Sequence, residues 1–120
     1  MSMNQGLTPT GPQVLFTAQT ATTANGIFYI SGLCARATVA IIGAGTLSTG
    51  VVTIEEAYYT PQGSPYAGTW SPITTVTAST LTGGAHTVIH IAASIWALRV
   101  RISTTVTGAG GSITAVAWGN

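Results

Sequence analysis

Along most of this chain apolar and polar side chains alternate with a period of two, the spacing of strands that bury one face. The alternation is cleanest over residues 96–103, where Trp96, Leu98, Val100 and Ile102 fall on one face and Ala97, Arg99, Arg101 and Ser103 on the other. Residues 50–58 repeat it, with Val52 and Ile54 opposite Thr53 and Glu55, and residues 87–92 set Ile89 and Ile91 against Val88 and His90. In residues 113–118, Ile113, Ala115 and Ala117 oppose Thr114, Val116 and Trp118, and both faces are apolar enough to be covered. Four further β-rich runs, 14–19, 27–31, 38–42 and 70–77, bring the number to eight, and the run 38–42 is apolar on both faces.

Turn residues separate the runs. Asn25-Gly26, at the end of TATTANG, is the strongest tight-turn signal in the chain. The fourth run leads into a turn containing Pro61, Gly63, Pro65 and Gly68; TASTLTGGA closes the fifth as a loop, and TGAGG leads into the eighth. HIAASIWALR holds enough Ala and Leu for a helical turn but reads as strand with an irregular lead. Residues 1–12 lack periodicity and read as an extended arm, followed by a single domain over 13–120. Eight short strands with no helical period predict an all-β fold, an antiparallel β-sandwich or jelly roll.

Charge changes this picture most. Arg36, Arg99, Arg101, Glu55 and Glu56 are the only fully charged side chains among 120 residues; they make up 4% of the chain, where an ordinary soluble domain has about 25%. The surface is therefore Thr, Ser, Gly, Ala and exposed aliphatic groups, which invites contact. With 46% hydrophobic residues and a net charge of +1, the composition is not that of a disordered chain. Three arginines and no lysine cannot build the footprint that phosphate recognition needs, so no nucleic-acid partner is expected. No apolar run approaches the roughly 18 residues that span a bilayer, and no secretory leader is visible, so no membrane partner is expected and synthesis in a cytosol is. The single cysteine, Cys34, lies in the apolar run GLCARATVAII and reads as a buried small hydrophobe.

Candidate chemistry is thin. VAIIGAGTLSTG opens like a dinucleotide fingerprint, but Ser48 stands where the third glycine belongs and a β-branched strand follows, so it reads as a hairpin loop. His86 and His90 would share a zinc on a helix; in a strand they stand about 13 Å apart, beyond one ion. Glu55 and Glu56, adjacent in a strand, point to opposite faces and cannot converge on one substrate. Glu55 shares its side with exposed positions, where it can pair with Arg99 or Arg101; Glu56 falls on the inner parity and marks a strand end or bulge. No enzyme activity, cofactor or metal is expected. The candidate interaction surface comprises Tyr58, Tyr59, Tyr66 and Trp70, grouped around one turn and able to stack on a sugar, together with Val116 and Trp118 on the last strand.

Two stretches carry a resemblance. VVTIEEAYYTPQGSPYAGTWSPI resembles the strand, turn, Thr-Trp, strand pattern of small β-sandwich virion proteins of tailed bacteriophages. LRVRISTTVTGAGGSITAVAWGN is similar to their closing hairpin; in the first stretch the usual Asp-Gly turn before the Trp is replaced by the longer loop from Pro61 to Gly68. The resemblance implies a structural, non-enzymatic protein of the decoration or cement type, made in the host cytoplasm and sitting on the capsid surface. Its implied partners are the major capsid protein and further copies of itself, as a dimer or trimer. A tail, neck or fibre accessory module, or a carbohydrate- or receptor-binding β-sandwich, is the alternative.

Overall fold

A computed structural model of the chain describes residues 10–29, 36–57, 70–92 and 97–119. All eight expected strands are present: β1 (Thr10–Gln19), β2 (Asn25–Tyr29), β3 (Arg36–Ala44), β4 (Thr49–Ala57), β5 (Ser71–Thr77), β6 (His86–Ala92), β7 (Ala97–Thr107) and β8 (Ser112–Gly119). They form two four-stranded sheets in the orders β1-β8-β3-β6 and β2-β7-β4-β5, antiparallel throughout. β1 pairs with β8, β2 with β7, β3 with β6 and β4 with β5, as if one long hairpin had been rolled up around its tip. This is the jelly-roll winding of a β-sandwich. The tip is the β4–β5 unit, which carries both acidic residues near the end of β4.

The core lies between the sheets and is built by the period-two alternation. One sheet contributes Val39, Ile41, Ile113, Ala115 and Ala117, the other Phe28, Val52, Ile54, Leu98, Val100 and Ile102, all sealed from solvent. Leu98, Val100 and Ile102 thus occupy the inner face assigned to them; Trp96, expected beside them, lies outside the described residues. β7 continues past the expected Ser103 to Thr107, and Val106 is buried too.

Three local expectations are corrected. Asn25-Gly26 is not a turn: both residues lie in β2, and the chain reverses earlier, where the Ala24 N–H donates to the Ala21 carbonyl at 3.0 Å. A Cβ on Gly26 would lie 2.5 Å from Leu15 Cβ, so the glycine is needed where β1 crosses closely over β2, and not for a left-handed bend. The segment after β3 is not a hairpin loop, because β3 and β4 belong to different sheets; it is a corner from one layer to the other, turned by Gly45 at φ +67°. TASTLTGGA is not plain loop but short 3₁₀ turns over Ala78–Gly84, broken at Thr82 and Gly83, with Ala78 and Leu81 buried.

These corners close one end of the sandwich. Thr46 and Ser48 donate their N–H groups to the carbonyls of Ala109 and Thr107, and the Leu47 N–H reaches Thr82 Oγ1 at 2.9 Å, so that Leu47 and Leu81 plug the gap. At the opposite end, Arg36 faces Ala92, Ala37 faces Gly119, and Thr10 faces Gly119 across the first sheet. β1 starts at Thr10, so the last three residues of the expected arm belong to this sheet; residues 1–9 lie outside the described set.

Candidate interaction surface

The two sheets present very different faces to solvent. On β4 and β7 of the second sheet, Glu55 faces Arg99 and Thr53 faces Arg101. Arg99 Nε and Arg101 Nε both donate to Glu55 Oε1, at 2.7 and 3.0 Å, and the Arg99 guanidinium lies over the Trp70 ring, 4.8 Å from its centroid. The expected cross-strand pair is thus a three-membered cluster. Glu55 is not exposed, however: only 4% of it reaches solvent, because both arginine side chains lie against it. Burial by itself would raise the Glu55 carboxyl, but the hydrogen bonds from Arg99 and Arg101, and then their charges, outweigh it and hold the carboxyl below its ordinary value.

Alongside, Ser103 Oγ donates to the Val51 carbonyl at 3.2 Å, which leaves Thr53 Oγ1 to donate to Ser103 Oγ at 2.6 Å. Among the described residues no buried polar side-chain atom lacks a partner. Opposite Glu55 the β4–β5 register shifts, and Ile73 is the extra residue; this is the irregularity expected near Glu56, displaced by one position. The polar groups of this face largely satisfy one another, and their shared business is to hold β4, β7 and Trp70 together.

The outward face of the first sheet is the reverse. Val14 faces Val116, Val116 faces Ala40, and Ala40 faces Val88, so one apolar row crosses all four strands. At roughly 4.8 Å between strands the row is about 14 Å long. Thr114, Ile42 and His86 form the next row on one side; Trp118, Thr38 and His90 form the next row on the other. Of the large hydrophobic side chains exposed among the described residues, Val14 (58%), Val88 (42%) and Ile42 (37%) share this face, and Ile73 belongs to the other sheet. The face carries no carboxylate among the described residues, and its one guanidinium, Arg36, sits at its end.

Beside Arg36 is a pocket of about 240 Å³, lined by Arg36, Thr38, His90 and Trp118. Thr38 is buried, and its Oγ1 lies 3.2 Å from His90 Nδ1. His86 and His90 share the outward face of β6 as strand residues, and no group of three potential metal ligands occurs among the described residues.

Of the six residues anticipated from sequence, the three that the structure describes fall on two different faces. Val116 and Trp118 sit together on the apolar face; Trp70 lies on the opposite sheet, half-buried against Arg99; Tyr58, Tyr59 and Tyr66 lie outside the described residues, as does Cys34. Val14, Ala40, Ile42 and Val88 complete the surface and were not singled out. The visible signal was a run, 38–42, apolar on both faces; the strand order that sets Ala40 between Val116 and Val88 was not visible.

No family model matches the chain, and no curated protein matches it. Among solved structures the chain is similar to SPBc2 prophage-derived protein YomS, at 11% identity over 94% of this chain and 95% of that one, with a TM-score of 0.54. Weaker overlays include the C-terminal CBM6 of LamC from Zobellia galactanivorans, at 8% identity, 95% and 92% coverage and a TM-score of 0.42. Another is a chain of the cyanophage Pam1 capsid asymmetric unit, at 18% identity, 98% and 86% coverage and a TM-score of 0.34. At such identities the YomS likeness establishes the fold, an eight-stranded all-β sandwich, and nothing rests on the two weaker overlays.

Proposed function

We propose that this chain is a non-catalytic structural protein of a virion, a decoration or cement protein that docks on the major capsid protein. The docking surface is the outward face of the sheet β1-β8-β3-β6. The observation that carries this reading is the apolar row Val14, Val116, Ala40 and Val88, unbroken across four strands, with its two ends Val14 and Val88 exposed, Val116 half-buried and Ala40 packed between them. The near absence of charge supports it, since attachment then draws on apolar burial and on hydrogen bonds from Thr, Ser and backbone. The prophage origin of YomS, whose fold this chain shares, fits the same setting.

Gradient-purified virions probed with an antibody against this chain test the reading directly. The chain is expected on the shell, retained in about 1 M salt, where the Debye length is only about 3 Å. Placing lysines at both ends of the row, by Val14→Lys with Val88→Lys, should abolish attachment while leaving the circular dichroism spectrum unchanged. A chain found only away from the virion, or a double variant that still decorates it, overturns the proposal.

A further inference from the structure

Arg36 is set apart from the other two arginines, for no described residue pairs with it. Arg99 and Arg101 are both tied to Glu55 on the second sheet, whereas Arg36 is exposed at the start of β3 and makes no hydrogen bond or ion pair among the described residues. Both acidic residues of the chain lie in β4, on the other layer. The Arg36 guanidinium carries five N–H donors, for which no described residue supplies an acceptor.

The groups beside it can donate as well. Trp118, Thr38 and His90 lie side by side on β8, β3 and β6, with Arg36 two residues before Thr38 on the same face of β3. The indole N–H only donates. When the Thr38 hydroxyl donates to His90 Nδ1, the remaining imidazole nitrogen carries the proton and donates as well. The pocket thus offers a fixed positive charge, the indole donor and, in that tautomer, an imidazole donor, with no carboxylate side chain beside them among the described residues. Its volume, about 240 Å³, lies below the roughly 300–1,000 Å³ of sites for drug-sized ligands and suits a single short side chain. It also adjoins the apolar row, because Trp118 and Thr38 lie two residues along their strands from Val116 and Ala40.

We propose that this pocket is the polar anchor of the docking face: it receives one carboxylate side chain, Asp or Glu, of the protein on which the apolar row lies. The inference rests on the docking reading and adds to it the chemistry of the partner. An apolar row gives little register by itself, since it can slide over another apolar surface; one charge pair at its end fixes position and excludes partners without the matching acid. Covered by the docked partner, such a pair is screened less than one left in water, so retention in molar salt is still expected.

Two measurements on the full chain decide this. In the first, the Trp118 indole and Arg36 Nε resonances are followed by NMR during titration with acetate, glutarate and glucuronate. The carboxylates should shift both signals saturably, Arg36→Gln should abolish the shifts, and glucuronate should bind no more tightly than acetate. Absence of saturable shifts overturns the proposal. Glucuronate binding more than about tenfold tighter than acetate overturns it in favour of a saccharide site. In the second, Arg36 variants are titrated onto shells beside the Val14→Lys, Val88→Lys double variant. Arg36→Gln should weaken attachment about tenfold or more, with partial recovery in Arg36→Lys, which keeps the charge but loses the planar fork. If Arg36→Gln attaches like the wild type while the double lysine variant does not, the anchor falls and the docking face stands; if both attach normally, both fall.

Discussion

Replacing Glu55 by Gln removes the one charge that holds Arg99 and Arg101 in place, with almost no change of shape. Glu55 Oε1 accepts from both guanidinium groups, at 2.7 and 3.0 Å, with 4% of the residue exposed. A hydrogen bond to a charged group generally contributes about 1.5–3 kcal/mol. The loss is smaller than two such bonds, because glutamine keeps an acceptor oxygen and because the Arg99 and Arg101 side chains retain 27% and 36% exposure and can turn towards water. A net cost of about 2 kcal/mol follows. For 120 residues the entropy of unfolding is about 0.25 kcal/mol per degree, so the melting temperature should fall by about 8 °C.

The pH dependence gives a second, independent reading. The Glu55 carboxyl is held below its ordinary value in the folded state, so its contribution is fully present above the unfolded value of about 4.3 and is lost as pH falls through the folded value. Thermal melts by circular dichroism from pH 7 to pH 2 should therefore show wild type and Glu55→Gln about 8 °C apart at neutral pH and converging in acid. A difference below about 2 °C at pH 7 would mean that the cluster contributes nothing and that Glu55 is merely accommodated; a gap that stays constant down to pH 2 would mean that it does not arise from ionisation of the carboxyl in this range.

Leu98→Ala, at a fully buried position of β7, should cost about 2–5 kcal/mol in urea denaturation; a loss under half a kcal/mol would show the register of β7 to be wrong. Gly26→Ala should cost about 1–3 kcal/mol, because the new methyl meets Leu15 Cβ at 2.5 Å and the Leu15 carbonyl oxygen at 2.7 Å; a neutral result would remove the close crossing of β1 over β2. In sedimentation at micromolar concentration the isolated wild-type chain should be oligomeric, because without a shell its docking face is covered only by further copies, and the Val14→Lys, Val88→Lys variant should be monomeric; a stable wild-type monomer counts against self-association by that face in the absence of the shell.

The sequence by itself determined the eight strands, the inner faces of β4, β7 and β8, and the partnership of Glu55 with the arginines of β7. Each of these rests on local parity: in a strand, the residues two apart share a face, and facing positions on paired strands meet. Parity does not tell which strands lie side by side. Asn25-Gly26 was legible as a hairpin and Gly43 to Gly50 as another, yet in both places the chain joins different layers, because rolling the long hairpin sets consecutive strands in opposite sheets. The same winding brings Val14 across 102 positions of sequence to Val116, sets Ala40 between Val116 and Val88, and collects Arg36, Thr38, His90 and Trp118 around one pocket. It also separates Trp70 from Trp118, putting them on opposite outer faces although both are aromatic and near strand ends. Short-range pattern specifies what each strand buries; which exposed side chains become neighbours is decided only when the two sheets close over a common core.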